Sequence, residues 1–227
     1  MKKILFLAVT LVGTVVALNA QNYKLGAFIE PSVSWYDVES RDVVSEGSFG
    51  NFSGGISVDY FFGDNYAFAT GLALGTNKGS LQYKESFVLR AYDDIAEVPG
   101  GATVNYKVNT LTVPMGLKLK TNEIGYLTYF VDLGLTANIN MGTKASVDSL
   151  VTFAGEQNPE SINDARINKE IIPVSLAYHM GAGLEYGLSE STALFVGIYY
   201  RNFFTTLTKN LDNTYPKIVA FRVGVLF

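Results

Sequence analysis

One histidine, no cysteine and a scatter of acids and bases inside apolar segments are the groups with which this 227-residue chain could do chemistry. Ser175 lies four positions before His179, and a serine beside an imidazole is the nucleophile–base pair of a hydrolase. Along a strand, however, four residues span about 13 Å, beyond hydrogen-bond reach, so only a serine from another strand could complete such a site. The stretch "GAGLEYG" has the look of a dinucleotide loop but sits inside an alternating segment, leads into a turn and has no helix after it. Neither "YDVESRD" nor "AYDDIAE" has the regular ligand spacing of a calcium loop. With a single imidazole and no thiolate, neither a metal nor another cofactor is expected. What remains is a set of charged positions, Glu30, Asp59, Lys118, Asp132, His179, Glu185, Arg201 and Arg222, each facing away from a row of apolar neighbours.

Those rows repeat every second residue, the period of a strand with one apolar face. In "YKLGAFIEPSVSWY" the odd positions from Tyr23 to Trp35 are apolar, and the even ones include Lys24, Gly26, Glu30 and Ser32. The same alternation runs through "NFSGGISVDYF", "YAFATGLALGT", "TLTVPMGLKLK", "YLTYFVDLGLTANINM", "IIPVSLAYHMGAGLEY", "TALFVGIYYRNFF" and the final "KIVAFRVGVLF", which makes eight strands. Tight connections, at Gly63 to Asn65, Thr121 to Gly125 and Gly187 to Ser191, alternate with long polar ones near 37–50, 77–104, 143–170 and 206–216. Short turns on one rim and long loops on the other predict an all-β fold, an eight-stranded antiparallel up-and-down transmembrane β-barrel. Both termini then lie on the short-turn, periplasmic side, and closure leaves no strand edge in lipid.

A soluble lipocalin-like barrel also has eight alternating strands, but it turns its apolar face inward. Here the other face is made of Gly, Ala, Ser and Asn, which suits a narrow lumen better than a water-bathed exterior. Aromatic residues gather at strand ends, Tyr23, Tyr60, Phe62, Tyr66, Tyr186 and Phe227 at one rim and Trp35, Tyr36, Tyr199, Tyr200, Phe203 and Phe204 at the other. These groupings predict two interfacial girdles. The charged positions then point into the lumen, where they must pair, and Arg222 is expected to centre a network with Glu30 and Glu185 as partners. Phe28, Phe61, Phe195 and Tyr199 share that face and would fill the remaining space, so free passage of solute is not expected. Pro114 and Pro173 cannot donate to a ladder, and bulges are expected there.

The opening "MKKILFLAVTLVGTVVALNAQ" has the charged start, short apolar core and small residue at Ala20 of a secretory signal peptide. Residues 1–20 are therefore assigned to the leader and 21–227 to one barrel domain. With 17 basic against 21 acidic side chains, a net charge of −4 before the leader and its two lysines are removed, no basic face exists for nucleic acid. The last strand places apolar or aromatic side chains at Phe221, Val223, Val225 and Phe227, which resembles the signal read by the outer-membrane assembly machinery.

"LTVPMGLKLK" and "IIPVSLAYHMGAGLEYGL", each an apolar strand with Pro near its start, together with the terminal Phe, are similar to the PorT-like outer-membrane β-barrel family of Gram-negative bacteria. That resemblance covers the mature chain. It implies an outer-membrane location, membrane lipids and the assembly machinery as partners, and other envelope or secretion proteins besides, since the namesake is linked to a protein secretion system. The expected function is a structural or interaction component of the envelope, acting through its long extracellular loops and not as an enzyme. The alternatives are a small-solute channel and a lipid-modifying outer-membrane enzyme.

Overall fold

The computed structural model describes residues 22–91, 94–153, 158–167, 171–206 and 214–227. The proposed leader and the Gln21 start of the mature chain lie outside them. Eight strands form the barrel: β1 (Tyr23–Val38), β3 (Phe49–Gly63), β4 (Tyr66–Tyr83), β7 (Thr103–Lys120), β8 (Leu127–Val147), β12 (Val174–Gly187), β13 (Ala193–Phe203) and β14 (Thr214–Leu226). Each pairs antiparallel with its sequence neighbour in the barrel, and β14 pairs with β1 to close the cylinder. Closure runs to the last residue, because Leu25 and Phe227 exchange backbone hydrogen bonds of 2.9 and 2.8 Å. The turns on this rim are short, and one contains Gly125 at φ 68°, a left-handed conformation that costs glycine little.

Across the middle of the barrel the alternation sorts side chains as a bilayer requires. Leu133 is 48% exposed and Val223 37%, whereas Arg222 is 7% exposed. A soluble carrier would reverse all three. Ile29, Leu72, Met115, Leu135, Ile198 and Phe221 belong to the same outward belt. At the short-turn rim Tyr23, Tyr60, Phe62, Tyr66, Tyr186 and Phe227 are all exposed, joined by Tyr126 and Tyr129. The expected second girdle is thinner. Tyr36, Tyr199 and Phe203 are buried inside, because they occupy inward positions of their strands, while Trp35 and Tyr200 are half-buried and Phe204 is exposed.

The long connections are not simply loops. They carry β2 (Val43–Ser45), β5 (Phe87–Ala91), β6 (Asp94–Val98), β9 (Leu150–Phe153), β10 (Glu160–Ser161) and β11 (Ala165–Arg166). β2 extends the barrel sheet along β4 and β11 along β8, while β5, β6, β9 and β10 make a separate four-stranded sheet. β4, β7 and β8 also rise beyond the belt, and the inward face changes chemistry as they do. Leu81, Tyr83, Val104, Tyr106, Val108, Ala145 and Val147 pack there with Leu89, Val98, Val151, Ile162 and Ile167 into one buried apolar core. Above the bilayer the surroundings are water, so the apolar side chains turn inward as in any soluble sheet.

That inversion demands a change of phase, and the strands achieve it in two ways. In β4 and β7 the apolar set itself switches parity, from Leu72 and Leu74 to Leu81 and Tyr83, and from Leu111 and Val113 to Val108 and Tyr106. In β8 the odd positions stay apolar, and a bulge opposite Asn109 and Thr110 turns the strand over between Met141 and Thr143. The Asn140 side chain holds the bulge, accepting from the Gly142 amide at 2.9 Å and donating to Thr143 Oγ1 at 2.8 Å.

The prolines sit differently from the bulges expected of them. At Pro114 the β7–β8 register continues, and the β4–β7 ladder lapses for two residues without a shift, opposite Gly71 and Leu72. Thr70 Oγ1 donates to the Pro114 carbonyl at 2.9 Å across that gap. Pro173 precedes β12, where its missing donor costs no ladder bond.

Candidate functional site

The lumen at belt height is filled by three polar groups held on facing strands. In the first, Glu30 of β1 receives two arginines. Arg201 Nη2 from β13 donates to Oε1, and Arg222 from β14 donates through Nε and Nη2 to Oε2, each at 2.7 Å. Glu30 is 1% exposed. Ser53 Oγ adds a hydrogen bond to Oε1 at 3.3 Å. The Arg222 guanidinium lies between the rings of Phe28 and Tyr199, 4.2 and 4.1 Å from their centroids, so its faces meet π electrons while its edge meets the carboxylate. Gly181 leaves room for this stack, since a β-carbon there would stand 2.5 Å from the Tyr199 ring.

In the second group Lys118 of β7 bridges Asp59 of β3, at 2.7 Å, and Glu185 of β12, at 2.8 Å. Glu185 also takes Lys120 at 2.5 Å. The Lys118 ammonium rests 4.6 Å from the Phe130 centroid and Lys120 5.3 Å from that of Phe61. In the third, His179 of β12 contacts two groups of β8. Its Nε2 meets Asp132 Oδ1 at 3.3 Å and its Nδ1 meets Thr136 Oγ1 at 2.8 Å. With Nε2–H donating to the carboxylate, Nδ1 is left to accept from the threonine hydroxyl. Among the described residues no third ligand joins Asp132 and His179, and no group of three metal-binding side chains forms.

Four carboxylates, Glu30, Asp59, Asp132 and Glu185, thus face four basic side chains, Lys118, Lys120, Arg201 and Arg222, in a space with almost no room left. The cavity among Phe28, Asp59, Pro114, Lys118, Tyr199 and Arg222 measures about 20 Å³, the size of a single water site. Below it, at the short-turn rim, an open vestibule of about 1020 Å³ lies beside Tyr23, Lys24, Tyr60, Phe61, Lys120 and Phe227. Above it, at the long-loop rim, lies the buried apolar core.

A barrel of this kind has counterparts among known proteins. A family model described as outer membrane protein beta-barrel domain matches residues 10–208. The chain belongs to this family. Solved structures similar to it include Ail, the attachment invasion locus protein of Yersinia pestis, 14% identical over 91% of this chain and 99% of that one with a TM-score of 0.41. Neisserial surface protein A is 15% identical over 90% and 97%, with a TM-score of 0.44. OprG from Pseudomonas aeruginosa is 11% identical over 90% and 94%, with a TM-score of 0.40. No curated protein matches the chain. Membership of the outer-membrane barrel family places the chain in the outer membrane.

Within this family member the eight charged positions singled out in the sequence, Glu30, Asp59, Lys118, Asp132, His179, Glu185, Arg201 and Arg222, are all buried in the lumen. Their partners differ in one respect from expectation: Arg222 meets Glu30, while Glu185 serves Lys118 and Lys120. The reason is register, which sets Arg222 beside β1 and leaves Glu185 near the short-turn rim where Lys120 ends. Phe28, Phe195 and Tyr199 are buried plugs and Phe61 is half-buried at the vestibule. Sequence reasoning passed over Phe130, Thr136 and Lys120 as site residues. Each has the inward parity of its strand, and parity alone would have found them. Phe221, Val223 and Phe227 of the final strand face outward, whereas Val225 is half-buried.

Proposed function

We propose that the chain is a closed barrel whose work is done at its long-loop rim, as a structural or interaction component of the cell envelope. The observation that carries this is the double closure of the lumen, by the ion-paired layer at belt height and by the apolar core above it. Among the described residues the ion-paired layer holds a cavity of only about 20 Å³, which disfavours a small-solute channel. Catalysis is disfavoured because His179 faces an acid and a threonine inside the lumen and meets neither a serine nor the bilayer. With both termini on the periplasmic side, the four-stranded sheet stands outside the cell and shows Val88, Ile95 and Leu150 to solvent. Exposed apolar side chains on a rigid sheet suit protein recognition.

The resemblance of the Pro-containing strands and terminal Phe to PorT-like proteins supports a place beside a protein secretion system. Reconstituted into planar bilayers, the purified chain should give no steady conductance, and regular single-channel steps would overturn the closed-lumen reading. Crosslinking in intact outer membranes should capture envelope proteins through the β5–β6 hairpin. An unchanged set of partners after removal of residues 87–98 would move the interaction surface elsewhere.

A further inference from the structure

Just above the belt, four cations stand side by side across four neighbouring strands. Lys78 of β4 pairs with Lys107 of β7, Lys107 with Lys144 of β8, and Lys144 with Arg166 of β11. The bulge in β8 puts Lys144 on the outer face with the others. Lys78, Lys107 and Arg166 are exposed and the Lys144 side chain is 42% exposed. With strands about 4.8 Å apart, the row spans roughly 15 Å of the barrel's circumference.

Its neighbours on the same face are otherwise uncharged, with two acids at the ends of the row above, Glu46 beside Ser80 and Asp164 beside Ser146. The row toward the membrane holds Thr76 and Asn109, and the row away from it holds Ser80, Asn105 and Ser146. Asp164 is the carboxylate that reaches the row among the described residues, 3.7 Å from Lys144 Nζ. Like charges directly opposite each other weaken a strand pair, so the arrangement is one that folding alone does not favour. Immediately beneath the Thr76–Asn109 row lie Leu74 and Met141, 59% and 63% exposed, the upper edge of the lipid-facing belt. One polar row above the hydrocarbon is the depth of lipid headgroups.

We propose that Lys78, Lys107, Lys144 and Arg166 form a binding row for phosphate groups on the lipid headgroups of the adjoining leaflet. Charge sign, spacing and depth all match that ligand. Lysine and arginine are both suited to phosphate, the former as point charges and the latter as a bidentate fork. A row 15 Å long engages more than one phosphate at once, either two on one headgroup or those of neighbouring lipids, which gives multivalent retention that a free phosphate ion lacks. The partner is thus the membrane's own anionic lipid, independent of whatever protein the four-stranded sheet meets.

The test uses the full mature chain, refolded in zwitterionic detergent and checked for closure by heat-modifiable migration. Diphosphoryl lipid A is titrated and its retention measured by native mass spectrometry, beside lipid A stripped of its phosphates and inorganic phosphate as competitor. Each cation neutralised to Gln should weaken retention about fivefold, so Lys107→Gln with Lys144→Gln together should lose about 25-fold. Lys217→Gln, which removes a cation paired to Asp37 on a different arc of the barrel, should leave retention unchanged. Equal loss in Lys217→Gln would reduce the effect to net charge. Full retention by the double variant, or by dephosphorylated lipid, would overturn the site, and displacement by millimolar inorganic phosphate would reassign it to a soluble anion.

Discussion

Glu30 is the residue on which the lumen's electrostatics turns, because one carboxylate pairs with two arginines from two different strands. Removing one partner of a buried ion pair leaves the other charged and dry, which costs more than the pair itself contributes. Here the loss would strand Arg201 and Arg222 together, two like charges without the carboxylate that both donate to. Glu30→Ala is therefore expected to destabilise the barrel by about 3–5 kcal/mol, read as a lowered urea midpoint of heat-modifiable migration. Glu185→Gln should cost less, since Lys118 keeps Asp59 at 2.7 Å and Lys120 can extend into the vestibule. Equal midpoints for Glu30→Ala and the parent chain would show that the network is filler whose charges are satisfied by water.

At the scale of strands, most of the barrel is legible because lipid outside and small polar groups inside impose a single rule, apolar at every second residue. Leu127 to Met141 obeys it without a break, and that one strand crosses the whole bilayer. The long-loop rim obeys the same rule with the phases exchanged. Leu81, Tyr83, Val104 and Tyr106 alternate with Gln82, Lys84, Asn105 and Lys107, and those exposed polar residues make the segments read as loop when only the belt's parity is sought. The partner choices in the lumen were less legible, since parity says which face a side chain is on but only register says which strand's charge it meets.

The apolar layer at this rim makes its own prediction. Tyr83 Oη lies 2.5 Å from Tyr106 Oη in the buried core, and burial pushes the Tyr83 phenol well above its usual value. The folded layer keeps that proton at a pH where the unfolded chain releases it, so the unfolded state binds fewer protons and stability falls as pH rises past about 10. The urea midpoint should drop between about pH 10 and 11 and drop less in Tyr83→Phe. A parallel decline in both proteins would place the pH dependence elsewhere in the molecule.

Across the whole molecule, the closure made by Phe227 is separable from the assembly signal proposed for the final strand. Phe227 closes the cylinder through its backbone, trading hydrogen bonds with Leu25, and it shows a ring 57% exposed at the short-turn rim. Closure needs the backbone alone, whereas the proposed assembly signal would be carried by the ring at the end of the alternation Phe221, Val223, Val225. Phe227→Ala keeps every backbone bond and removes the ring. In detergent this variant should refold and migrate as a closed barrel like the parent, within the few tenths of a kcal/mol that an exposed side chain contributes. In cells its outer-membrane yield should fall severalfold, with unassembled chain accumulating in the periplasm. Deleting Phe227 outright should reduce both, because Leu25 then loses its partner. If Phe227→Ala instead refolds poorly in detergent yet reaches normal levels in the membrane, the ring serves packing against the girdle and the assembly signal lies elsewhere in β14.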